Sequence, residues 1–152
     1  MKFKKVFNLR LDVLEKLTLG FCDNILLFND NNYINLKLLS LFGNHNIKSH
    51  YPLKLPEIKK CNLSNSNDIE KDFNFIIDFS SLNKVKQLRC SINNFLLLNN
   101  SLLEKITLFS TNNISKETEI KMLDKILSIK TLKNIEFDLS KLILMKYQKY
   151  KM

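Results

Sequence analysis

An α/β solenoid, with a curved parallel sheet on its concave side and helices and loops on its convex side, is the fold this sequence predicts. The first observation behind it is a recurring five-position pattern: apolar residues at steps of 3, 2 and 6, with a small polar residue or Cys in the last gap. The second is spacing. Leu14, Leu17, Leu19, Cys22 and Ile25 are followed 22 residues later by Leu36, Leu39, Leu41, Asn44 and Ile47, and after another 22 by Ile58, Cys61, Leu63, Ser66 and Ile69. Self-similarity at such a period marks stacked structural units. The third is a set of helical signals between the copies.

Three further copies begin at Val85, Leu103 and Leu132. They read Val85, Leu88, Cys90, Asn93, Leu96, then Leu103, Ile106, Leu108, Thr111, Ile114, then Leu132, Ile135, Phe137, Ser140, Ile143. A fourth copy starting at Leu82 would even out the spacing but would turn Gln87 inward, where an unpaired amide is costly. Val85 is therefore the preferred start. In each copy the central pair of apolar residues reads as a short strand, because side chains alternate across a strand and positions two apart share a face. The Asn, Ser, Thr or Cys marks the place where the chain leaves the sheet, and the last Ile or Leu closes the coil over the core.

This pattern resembles the leucine-rich repeat superfamily, L-x-x-L-x-L-x-x-N/C-x-x-I/L, over most of the chain. The resemblance divides it into an N-terminal partial cap at 1–12, about six repeats at 13–143 and a basic tail at 144–152. It implies a binding surface without chemistry, and it also suits an arm of a larger adaptor protein, of which this chain would be a fragment.

Between strands, Ser66 or Asn67 is expected to cap a helix from Asp68, with Ile69, Phe73 and Ile76 on one face. A second helix is expected after Ser115, with Glu117 and Glu119 near its positive end. There Ile120, Leu123, Ile126 and Leu127 would face inward, and Lys121 and Lys125 outward. The stretch from Phe28 to Tyr33 reads as a polar loop, and Asn44 to Leu55 as an extended connection. Val6, Leu9 and Leu11 would pack on the first repeat. At the other end, Leu142 to Met145 make a thin cap that leaves room for self-association.

The three cysteines, Cys22, Cys61 and Cys90, fall at turn or inward positions, so all are expected to be buried thiols. Their odd number and unpaired spacing speak against a disulfide framework or a zinc site. Together with an N-terminus unlike a signal peptide, this places the chain inside the cell, in the cytoplasm. No stretch has the length of a membrane helix.

Catalytic chemistry finds little material. His45 and His50 share one polar loop with no nucleophile set beside them by a motif. Gly20 and Gly43 stand apart, so there is no glycine-rich phosphate loop. A protein without enzymatic activity or cofactor is expected.

Function is then sought on the outward positions of the strands. The candidate partner-binding residues are Lys16, Phe21, Lys37, Phe42, Lys60, Lys86, Arg89, Lys105, Phe109 and Lys133. They read as a basic row across the sheet that suits an acidic partner, with Phe21, Phe42 and Phe109 as exposed aromatic anchors for a protein. A second reading is a binder of nucleic acid or another anionic surface. It rests on the net charge of +9 and on the acid-free tail from Lys141, where Tyr147 and Tyr150 alternate with Lys146, Lys149 and Lys151.

Overall fold

The computed structural model describes residues 5–6, 13–20, 25–27, 33–42, 48–49, 52–64, 77–99, 102–109 and 114–138, with 5–6, 25–27 and 48–49 described by backbone alone. In chain order the strands are β1 (Lys5–Val6), β2 (Lys16–Gly20), β3 (Ile25–Leu27), β4 (Leu38–Phe42), β5 (Lys48–Ser49), β6 (Lys60–Ser64), β7 (Gln87–Ser91), β8 (Lys105–Phe109) and β9 (Asn134–Asp138). Two α-helices, α1 (Ile92–Leu96) and α2 (Lys116–Ser128), and a single 3-10 turn at Phe79–Ser81 complete the described elements.

The protein is α/β, built on a six-stranded sheet in the order β2-β4-β6-β7-β8-β9. All five pairings in it are parallel. Parallel neighbours cannot be joined by a tight turn, so the chain leaves the sheet after each strand and comes back on the same side. Two of these excursions carry the short strands β3 and β5, which form a second parallel sheet with β1 from the segment before β2, in the order β1-β3-β5.

Register follows the sequence repeat strand by strand. Leu17, Leu39, Cys61, Leu88, Ile106 and Ile135 align as one row across all six strands. Pairing of Leu88 with Cys61 fits the start at Val85 and sends Gln87 to the exposed face. Leu82 is nevertheless fully buried beside the repeat. Just before each strand the backbone repeats one arrangement. The Glu15 carbonyl accepts from the Lys37 and Leu38 N–H groups at 2.8 and 3.1 Å, and Lys37, Lys59, Lys86 and Glu104 serve the next strand alike.

The inward rows form one core with the connections. Leu39, Leu41, Cys61, Leu63, Leu88, Cys90, Ile106 and Leu108 are buried together with Leu53, Leu55, Phe79 and Phe95 from the excursions. Cys61 and Cys90 are free, and burial pushes the Cys61 thiol up to about 12 and the Cys90 thiol well above its ordinary range. Both therefore stay protonated small apolar side chains. Cys22 lies outside the described residues.

α2 begins where its sequence signals put it. The Ser115 hydroxyl accepts from the Thr118 N–H at 3.1 Å, and Glu117 and Glu119 occupy the first turn. Its buried stripe, however, is Met122 and Ile126, continued by Ile129 after the helix, while Ile120, Leu123 and Leu127 are exposed. The apolar arc of this helix is wider than its contact, and the helix is rotated so that Lys125 turns inward. Its ammonium donates to the Leu96 and Leu98 carbonyls and stands 5.2 Å from the Phe95 ring centre. The Leu96 carbonyl ends the short helix α1 and needs a donor, and the Leu98 carbonyl lies just past its C-cap. Burial in that place holds the Lys125 pKa below its usual range.

Other sequence expectations are corrected. Asn93 is exposed and Asn94 is fully buried, because Ser91 caps α1 directly after β7 and turns Asn94 and Phe95 toward the core. Tyr33, the last residue of the stretch read as a polar loop, is a core residue, and burial raises its phenol to about 12, while residues 28–32 lie outside the described residues. Ile135 and Phe137 occupy inward positions in β9 but are 44% and 42% exposed; among the described residues β9 has a strand on one side only. The helix expected from Asp68, the cap residues Leu9 and Leu11, and the chain beyond Asp138 lie outside the described residues.

Candidate interaction face

The second face of the large sheet carries the side chains that alternate with the core rows. Three rows cross it. The first reads Lys16, Leu38, Lys60, Gln87, Lys105 and Asn134; the second Thr18, Ser40, Asn62, Arg89, Thr107 and Glu136; the third is in two halves, Gly20, Phe42 and Ser64 on β2, β4 and β6, and Ser91, Phe109 and Asp138 on β7, β8 and β9. Apart from Thr107 and Phe109, every one of these residues is exposed or half-buried. Parallel sheets are ordinarily covered on both faces. Here the helices and the buried connections belong to the core on the first face.

The basic row expected from sequence splits into two. Lys16, Lys60 and Lys105 open their strands on the exposed face, whereas Lys37, Lys86 and Lys133 stand one residue before their strands. Most of these cations are occupied. Lys37 pairs with Glu15 at 2.6 Å, Lys86 and Lys133 share Glu104 at 3.3 and 3.8 Å, and Lys105 pairs with Glu136 at 2.7 Å. Arg89 reaches over β8 to Asp138, and its guanidinium lies 5.8 Å from the centre of the Phe109 ring. For Lys16 and Lys60, by contrast, no carboxylate stands within pairing distance among the described residues.

The aromatic anchors divide similarly. Phe109 is 8% exposed, closed in beneath Arg89, so it is not the exposed anchor that its outward position suggests. Phe42 is half-buried, and its ring lies directly over Gly20 on the neighbouring strand, where a Cβ would collide with it. Gly20 thereby lets the ring lie flat on the sheet. Phe21 lies outside the described residues, as do His45, His50 and the basic tail.

Two features of the face were not read from the sequence. One is the matching of acids to cations, although stacking the copies would have set Glu15 against Lys37, and Glu104 between Lys86 and Lys133. The other is Leu38, an apolar residue held on the exposed side between Lys16 and Lys60 by strict alternation within β4.

Glu136 shows how the far half of the face is satisfied. Its carboxylate accepts from Lys105 and from the Thr107 hydroxyl, the latter at 3.2 Å, and these bonds hold its pKa below the usual carboxylate range. A lowered carboxylate pKa gives stabilisation that is present above the unfolded value of about 4.5 and lost as pH falls through the folded value. Carbon-detected NMR titration is expected to place Glu136 below the usual carboxylate range, and Lys105→Met is expected to move it back up. An unchanged titration in Lys105→Met would refute the pairing.

Among the described residues no group of three His, Cys, Asp or Glu is placed to hold a metal, and no helix is long and apolar enough to cross a membrane. No family model, curated protein or solved structure matches this chain.

Proposed function

We propose that the chain is a non-enzymatic protein-interaction module, a curved solenoid of leucine-rich repeat type that holds its partner on the exposed face of the six-stranded sheet. The observation that carries this reading is a sheet face on which, among the described residues, no helix packs. A parallel sheet with one side packed and the other lined by Lys, Thr, Ser, Asn, Leu and Phe side chains offers a broad surface of mixed chemistry. The resemblance of the repeats to the leucine-rich pattern supports the same reading.

Charge pairing favours a protein over a nucleic acid. A phosphate backbone is held by a run of available cations, and its affinity falls steeply with salt. Arg89 and Lys105 on this face, and Lys37, Lys86 and Lys133 beside it, already have carboxylate partners. Affinity capture from native cell extract at low and high salt tests the proposal. A specific protein retained at both salt concentrations and lost with Phe42→Ala is expected. Recovery of RNA alone, released by moderate salt and indifferent to Phe42, would sink it.

A further inference from the structure

The exposed face is electrostatically uneven. Its acidic side chains, Glu136 and Asp138, both stand in β9, and both are taken up by Lys105 and Arg89. The face positions of β2, β4 and β6 hold no acid at all: Lys16, Thr18 and Gly20, then Leu38, Ser40 and Phe42, then Lys60, Asn62 and Ser64. Within that half, Lys16 and Lys60 are exposed and have no carboxylate at pairing distance among the described residues, and Leu38 lies between them in the same row. The pattern across the strands is cation, apolar, cation.

We propose that this half-face, Lys16, Leu38 and Lys60 with Phe42 at its edge, docks an acidic amphipathic helix of a partner protein, lying across the strands. The proposal rests on the protein-binding reading above and names the kind of partner. Spacing selects the helix. Neighbouring strands lie about 4.8 Å apart, so Lys16 and Lys60 are rooted about 10 Å apart with Leu38 midway. A helix rises about 1.5 Å per residue, which puts positions i and i+7 about 10.5 Å apart on one face, with i+3 and i+4 between them. An extended peptide puts its same-side residues about 6.7 Å apart and then about 13.4 Å, a poorer match to the spacing of the two lysine roots. The matching segment has an acid at i, an apolar residue at i+3 or i+4 and an acid at i+7. Its acids meet Lys16 and Lys60, and its apolar residue covers Leu38. Orientation and association rate come from the charges, and desolvation of Leu38 and Phe42 slows release.

The test uses a fluorescein-labelled 15-residue alanine-rich peptide with Glu at i, Leu at i+3 and i+4, and Glu at i+7, beside a scrambled peptide of the same composition. Anisotropy titration with the full chain is expected to show the ordered peptide binding at least about tenfold more tightly than the scrambled one. Lys16→Glu with Lys60→Glu, or the milder pair Lys16→Gln with Lys60→Gln, should erase that ratio. Lys54→Glu with Lys130→Glu makes the same charge change at exposed positions off the face and should preserve it. Equal binding of the two peptides, absence of binding, or a ratio that survives the Lys16 and Lys60 changes would overturn the proposal. So would displacement of the ordered peptide by single-stranded RNA more readily than by unlabelled peptide. Failure of the helix is distinguishable from failure of the protein-binding reading, since a protein captured in a Phe42-dependent way would leave the latter standing.

Discussion

Phe95→Ala is expected to destabilise the folded chain by about 3–5 kcal/mol, the cost of losing a large apolar side chain and leaving a cavity. Phe95 is fully buried in α1, among the residues that close the core between β7 and β8. Its ring also receives the Lys125 ammonium, which ties α2 to the end of α1. The measurement is urea unfolding, with a fall in midpoint and an unchanged m-value. Phe95→Leu refills part of the space and should recover more than half of the loss. A change below about 1 kcal/mol would mean that α1 does not sit in the core.

The neighbouring residue is expected to act in the opposite direction. Asn94 is fully buried, and among the described residues neither its amide oxygen nor its amide nitrogen has a hydrogen-bond partner. Its backbone is already satisfied, since the Asn94 N–H donates to Ser91 Oγ at 3.2 Å. An unpaired buried polar group costs about 1–3 kcal/mol, and replacing it with an apolar group of the same size removes that cost. Asn94→Leu is therefore expected to raise unfolding stability by about 1–3 kcal/mol, and Asn94→Asp to lower it further than any neutral change. If Asn94→Leu instead destabilises the chain, the amide is bonded in solution.

These two adjacent residues also show where sequence reasoning succeeds and stops. Leu88, Cys90 and the start at Val85 were legible because strand alternation is strict and one face is packed. A shift of a single residue there would have exchanged Val85, Leu88 and Cys90 for Lys86, Arg89 and Ser91. The place of Asn94 was not legible. The repeat pattern marks Asn93 as the turn residue, but Ser91 starts a helix two residues earlier, and a capped helical turn rotates the next side chain inward. α2 followed the same course. Ser115, Glu117 and Glu119 fixed its beginning, yet its rotation was decided by Lys125 reaching the Leu96 and Leu98 carbonyls, a contact 27 or more residues away in sequence.

The exposed face was legible as a surface and not as a charge pattern. Outward positions could be read from the alternation, so Lys16, Lys60 and Phe42 were found directly. The state of each charge depends on neighbours one or two strands away. Arg89 and Asp138 meet across β8, 49 residues apart, and together they cover Phe109. That pairing turns an expected aromatic anchor into a covered one and leaves the β2, β4 and β6 half as the available surface.

The central claim is that this half of the sheet binds while the opposite face folds. Ser40→Arg tests it most directly, because Ser40 lies in β4 between Thr18 and Asn62, at the middle of the half-face. The outward arginine leaves the core rows untouched, so circular dichroism and the urea midpoint should stay within about 0.5 kcal/mol of the unaltered chain. Quantitative capture from native extract should then lose the protein that the unaltered chain retains. Full retention of that protein by a folded Ser40→Arg chain would contradict the account.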